Sequence, residues 1–180
     1  MRTATLVLVA YLLCVLVSSV WRLVPADLAQ IVVPDVVALT AAYLGLTTRQ
    51  WVSRAVAGAV VLGYLGDLIS GAPPGMMAFT AGVMALIAHG VHRRILVRGF
   101  AMTLGFSIFV GASSAILLII VRLAVGLSVA GGGGAIARIA GVALATGIVG
   151  GPILRLYRRI DAAFARTHRE RDNALEGLTH

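Results

Sequence analysis

Along this chain the apolar residues run on in long blocks, stopped at intervals by arginines, prolines or small polar clusters, with little of the alternation that marks a half-buried strand. A helix crossing the hydrocarbon of a bilayer needs about 20 mostly apolar residues at about 1.5 Å each. Six blocks fit that measure: Thr3–Trp21, Leu28–Leu46, Trp51–Ile69, Gly75–Val91, Gly99–Val121 and Ala135–Leu154, with Pro34 and Asp35 interrupting the second. The pattern predicts an all-α integral membrane protein, a compact bundle of six transmembrane helices over residues 1–158. Past Pro152, Leu156, Ile160, Ala163 and Phe164 recur at helical spacing between arginines. The sixth helix is therefore expected to run on as an amphipathic, basic cytoplasmic tail over 159–180, resting on anionic lipid and frayed from Arg169.

The arginines set the orientation, because cytoplasmic loops collect positive charge. With the N-terminus inside, the inner segments hold Arg2, then Arg49 and Arg54, then Arg93, Arg94 and Arg98, then six arginines from Arg155 to Arg171. The outer segments hold only Arg22, Arg122 and Arg138. This one-sided distribution alternates correctly over six spans with both termini inside, and five or seven spans break it. The first block follows Arg2 and ends near Val17-Ser18-Ser19, a poor cleavage site, and Leu13 is too large to precede a lipoprotein cysteine, so the block reads as a retained helix. The run Gly131–Gly134 is expected to be an outer hinge or turn, since each glycine costs a helix about 1 kcal/mol against alanine.

Composition narrows the function. Of 180 residues, 59% are hydrophobic and 12% charged, half the charged share of a typical soluble domain, and mean hydropathy is +0.98. The net charge of +8 is spread between apolar blocks and forms no basic patch with interleaved aromatics, so nucleic acid is not an expected partner. The single cysteine, Cys14, rules out an internal disulfide. His89 and His92 share a helix face without a nearby acid or cysteine, and no metal site or cofactor is expected. Enzyme classes fare no better. Gly111-Ala112-Ser113-Ser114 has no histidine in the last span to activate a serine, and the only glutamates, Glu170 and Glu176, lie in the tail, away from any paired-histidine motif. No catalytic residue is predicted.

An ionisable side chain within a membrane is costly and usually faces a partner or a cavity. Counting about 1.5 Å per residue from the inner boundary puts Asp35 and Asp67 roughly 20 Å up and Arg138 roughly 25 Å up. Asp35, Asp67 and Arg138 are therefore a candidate intramembrane ion pair or the lining of an outer pocket. The competing reading is that Asp35, beside Pro34, starts a helix, Asp67 caps a turn and Arg138 reaches the headgroups. Small residues recur every four positions as Ala101 and Gly105, Ser107, Gly111 and Ala115, Ala137, Gly141 and Ala145, and Gly147 and Gly151, which lets helices approach closely.

Pro34-Asp35 at the second span, then Gly63-x-x-Gly66-Asp67-Leu-x-Ser70-Gly71-x-Pro73-x-Gly75 leading into the fourth, in a short chain with an arginine-rich end, resembles the bacterial rod shape-determining protein MreD family. The likeness runs from about Pro34 to Arg98. It implies a non-enzymatic, multi-pass subunit of the cell-elongation complex in the bacterial cytoplasmic membrane. It implies MreC as partner, with MreB, RodA and the penicillin-binding transpeptidase of RodA beside it, and membrane lipid around it. It implies a fold similar to the membrane substrate-binding subunit of energy-coupling-factor transporters. Carried over by position, Pro34, Asp35, Gly66, Asp67, Ser70, Gly71, Pro73 and Gly75 are the partner-binding or turn residues. The competing function is the substrate-binding membrane subunit of a vitamin-type transporter, with Asp35, Asp67 and Arg138 around a polar solute.

Overall fold

The computed structural model describes residues 2–21, 23, 32–48, 52–71, 73–91, 100–127 and 131–176, by backbone only at 100 and 167–176. Among these residues the chain is all-helical, with six helices: α1 (Arg2–Trp21), α2 (Val36–Thr47), α3 (Val52–Ser70), α4 (Met76–Val91), α5 (Phe100–Ala124) and α6 (Gly132–Glu176). Each falls on one of the six apolar blocks. Four of them, α1, α3, α5 and α6, are long and apolar enough to cross a membrane, while α2 and α4 have 12 and 16 residues. Leu8, Leu12 and Leu16 on α1, Phe109 and Ile116 on α5, and Leu144 and Ile148 on α6 all point outward. An apolar exterior this continuous calls for lipid rather than water around the bundle, so the protein is membrane-embedded.

Helix α2 is the axis of the bundle. Nine of its 12 residues are buried, and it touches all five other helices. It begins later than the apolar block that contains it: residues 32–35 are not helical, and residues 24–31 lie outside the described residues. The reason is local. Asp35 breaks from helical geometry and its carboxylate accepts the Ala38 N–H at 2.8 Å, an N-cap that satisfies one of the orphan donors of the first turn.

In lipid the hydrophobic effect does not press helices together, so close packing of small residues must do so. A Cβ on Gly45 of α2 would overlap the Ala85 carbonyl of α4, and one on Gly63 of α3 would stand 2.5 Å from the Met77 carbonyl oxygen. The pair α5 and α6 has the most extensive contact in the fold. There Gly111 would place a Cβ 2.8 Å from Thr146 Cβ, Gly147 one 2.6 Å from Ile108 Cγ1, and Gly150 one against Ser107.

The glycine run is not simply a connector. Gly132, Gly133 and Gly134 form the first turn of α6, and Ala135 donates its N–H to the Gly131 carbonyl at 3.1 Å. Glycine is tolerated there because a first turn has no N–H bonds of its own to lose and the 42 following residues carry the helix. At the other end α6 passes through Pro152 and position 158 without a break and continues to Glu176.

Candidate functional site

The turn between α3 and α4 is held by Asp67. Its carboxylate, 1% exposed, accepts the N–H of Met77 at 2.9 Å through Oδ1 and that of Gly75 at 2.9 Å through Oδ2, with Ala78 further out at 3.4 Å. The acid at the end of one helix thus caps the start of the next, where free N–H groups and the helix dipole favour a negative charge. Ser70 donates its hydroxyl to the Gly66 carbonyl at 2.9 Å, closing α3, and Met76 N–H bonds the Pro73 carbonyl at 3.4 Å. Gly71 and Gly75 take φ of +65° and +98°, a region costly for any residue with a Cβ. A Cβ on Gly66 would meet Met77 and Val37 at 3.3 Å each. Gly66, Asp67, Ser70, Gly71, Pro73 and Gly75 therefore form one rigid hairpin, and Asp67 is fully engaged in its own backbone.

Beside this hairpin the same end of the bundle opens into a cavity of about 580 Å³. Its polar lining comes from α1 (Cys14, Ser18, Trp21), the start of α2 (Asp35), α5 (Ser114) and the first turns of α6 (Arg138), and Val33, Ile69, Met77 and Leu118 supply apolar wall. Pro34, buried, also borders it. Asp35 is positioned twice over: its carboxylate caps α2, and its backbone N–H donates to Thr146 Oγ1 on α6 at 3.0 Å. Thr146 is packed against Gly111, so the small-residue contact between α5 and α6 also fixes the acid. Among the described residues the Trp21 indole Nε1 is buried without a hydrogen-bond partner.

At the opposite end a second polar cluster joins distant parts of the chain. Arg2 donates from Nε and Nη2 to both oxygens of Asp161 at 2.7 and 2.6 Å, and the Tyr43 hydroxyl donates to Asp161 Oδ2 at 2.6 Å. The Tyr43 ring packs on Tyr157, centroids 5.2 Å apart, and the Tyr157 hydroxyl, fully buried, shares a hydrogen bond of 2.7 Å with Thr40. Arg158 donates to Thr103 Oγ1 at 3.2 Å. Sequence reasoning missed this cluster. The one available signal was Asp161, the first acid after the last span, set among arginines.

The expected triad is only partly assembled. Asp35 and Arg138 share the cavity, but among the described residues no ion pair joins Arg138 to Asp35 or Asp67. Asp67 does not line the cavity. Equal depth was no guide to direction: Asp67 turns toward the α4 N-terminus, which satisfies it more completely than one guanidinium could. The small-residue stripes also divide. Gly111, Ala115, Gly141 and Ala145 are buried between helices, as are Ser107 and Gly147. Ala101, Gly105 and Ala137 are exposed, and nothing lies within 4 Å of a Cβ on Gly105 or Gly151, so Ala101, Gly105 and Ala137 do not serve internal packing. His89 stands 3.4 Å from the Gly45 carbonyl through Nδ1, and His92 lies outside the described residues. The chain matches no protein-family profile, no characterised protein and no solved structure.

Proposed function

We propose that this chain is a non-enzymatic subunit of a bacterial cell-elongation complex of the MreD kind. In this reading it crosses the cytoplasmic membrane six times with both termini inside, holds the membrane helix of MreC, and presents its arginine-rich inner face to MreB and anionic lipid, with RodA and its transpeptidase alongside. The bundle is of the energy-coupling-factor substrate-subunit type, rigid enough to serve as a docking frame. The observation that carries the reading is the open stripe at Ala101 and Gly105: small residues bring helices close, the chain packs Ser107, Gly111, Ala115, Gly141, Ala145 and Gly147 against its own helices, and the whole of this stripe is left free for a partner. The orientation is supported by the grouping of charges, since Arg2 and Asp161 meet at one end and Asp35 and Arg138 share a cavity at the other.

The test is co-purification of tagged protein from its native membrane in mild detergent, followed by mass spectrometry. Recovery of MreC with peptidoglycan synthases is expected, and Gly105→Leu should abolish it while leaving the melting temperature unchanged. Equal recovery with leucine at 105 would remove α5 from the docking surface. The second reading, a substrate-binding subunit of a transporter, is favoured by the cavity at Asp35 and Arg138. It predicts an ATPase module in place of MreC.

A further inference from the structure

The cavity holds more polar function than the fold requires. Two residues of opposite charge, Arg138 and Asp35, share its wall. The remaining wall is mostly aliphatic. Arg138 and Asp35 form no ion pair with each other, so neither charge is taken up by the other. A wall that keeps a cation and an anion apart, within a volume of about 580 Å³, has the form of a small-molecule site, which typically spans about 300–1,000 Å³ with a few convergent polar groups on apolar surface.

We propose that this cavity binds a zwitterionic amphiphile. Its anionic group sits against Arg138, its ammonium donates to Asp35, and its apolar part lies along the aliphatic wall beside Trp21. The phosphoethanolamine headgroup of a membrane lipid and a free zwitterion of that chemistry both satisfy the requirement. A trimethylated ammonium does not, because it has no N–H to give Asp35. The inference is independent of the docking reading: the lining residues lie at the opposite end of α5 from Ala101 and Gly105.

Trp21 is also the reporter. The chain has two tryptophans, so Trp51→Phe leaves Trp21 alone. The full-length protein in maltoside micelles is titrated with dihexanoyl-phosphatidylethanolamine, with its phosphatidylcholine analogue and with phosphoethanolamine, following Trp21 emission. A saturable shift with the ethanolamine lipid and little with the choline analogue is expected. Arg138→Gln and Asp35→Asn should each weaken it about tenfold or more, the scale of one charge-assisted hydrogen bond. Asn still caps a helix, so the second variant keeps α2. Ala115→Leu, which fills the cavity, should abolish the shift if Arg138→Gln does not fold. Response to the diacyl probe alone makes the ligand a lipid, and response to phosphoethanolamine makes it a solute. No saturable shift with either probe, equal response to the choline analogue, or an equal loss with Arg122→Gln would overturn the proposal. Loss of binding with MreC still recovered, or the reverse, separates the two readings.

Discussion

Replacing Asp67 tests the hairpin most directly. Two of the N–H groups it accepts lie at 2.9 Å and the third at 3.4 Å, with the carboxylate almost wholly buried. Asparagine keeps the shape but turns one acceptor oxygen into an NH₂ that faces an N–H. If the oxygen stays with Met77, the Gly75 N–H is left unmatched, and a lost hydrogen bond to a charged group is worth about 1.5–3 kcal/mol. At roughly 2–4 °C per kcal/mol for a chain of this length, Asp67→Asn should lower Tm by roughly 3–12 °C. Alanine removes both short bonds, which on the same scale costs about 3–6 kcal/mol, among the larger effects of single substitutions. Thermal unfolding in detergent, read by size-exclusion fluorescence, measures the loss, and hydrogen exchange at Gly75 and Met77 should quicken while that of α5 does not. An alanine variant melting within a degree of wild type would refute the capping argument. Normal melting with lost rod shape in the asparagine variant would instead assign Asp67 to a partner.

Gly63→Ala should destabilise by about 1–3 kcal/mol, because its methyl would overlap the α4 backbone, whereas Gly105→Ala should be neutral or stabilise by up to about 1 kcal/mol, and melts of the two variants side by side give the contrast. Asp161→Asn should cost only about 1 kcal/mol, since Arg2 is 39% and Asp161 20% exposed and solvent weakens the pair, and the deficit should shrink at high salt. The exchange Arg2→Asp with Asp161→Arg should restore part of that melting temperature. A fluorescent protein fused to either terminus should fold and fluoresce if both ends are cytoplasmic, and alkaline phosphatase at the same positions should be inactive.

The positions of the helices were legible in the sequence because a bilayer imposes length and apolarity directly: the block Trp51–Ile69 and the helix Val52–Ser70 differ by one residue at each end. The hairpin was legible as a turn, since its glycines, prolines and serine have few other uses. Azimuth was not legible. Counting residues from an arginine gives depth, and on that basis Asp67 and Arg138 were neighbours, but the direction of a side chain around its helix depends on packing that a uniformly apolar block does not encode. The same blindness mixed Ala101 and Gly105, which face outward, with Gly111 and Gly147, which face α6 and α5. The Arg2–Asp161 pair was hidden by 159 residues of separation with no periodic signal joining its ends.

Helix α6 gives the bundle a mechanical property. Arg138 in the cavity wall and Asp161 in the opposite cluster are carried on one continuous helix, 23 residues or about 35 Å apart, with the Gly111 and Gly147 contacts to α5 between them. If α6 tilts about that contact as one body, its two ends swing in opposite directions, and the clasp of Arg2 on Asp161 and the width of the cavity would then change together. By thermodynamic reciprocity, whatever loosens the clasp changes the affinity of the cavity by the same factor with which occupancy changes the clasp.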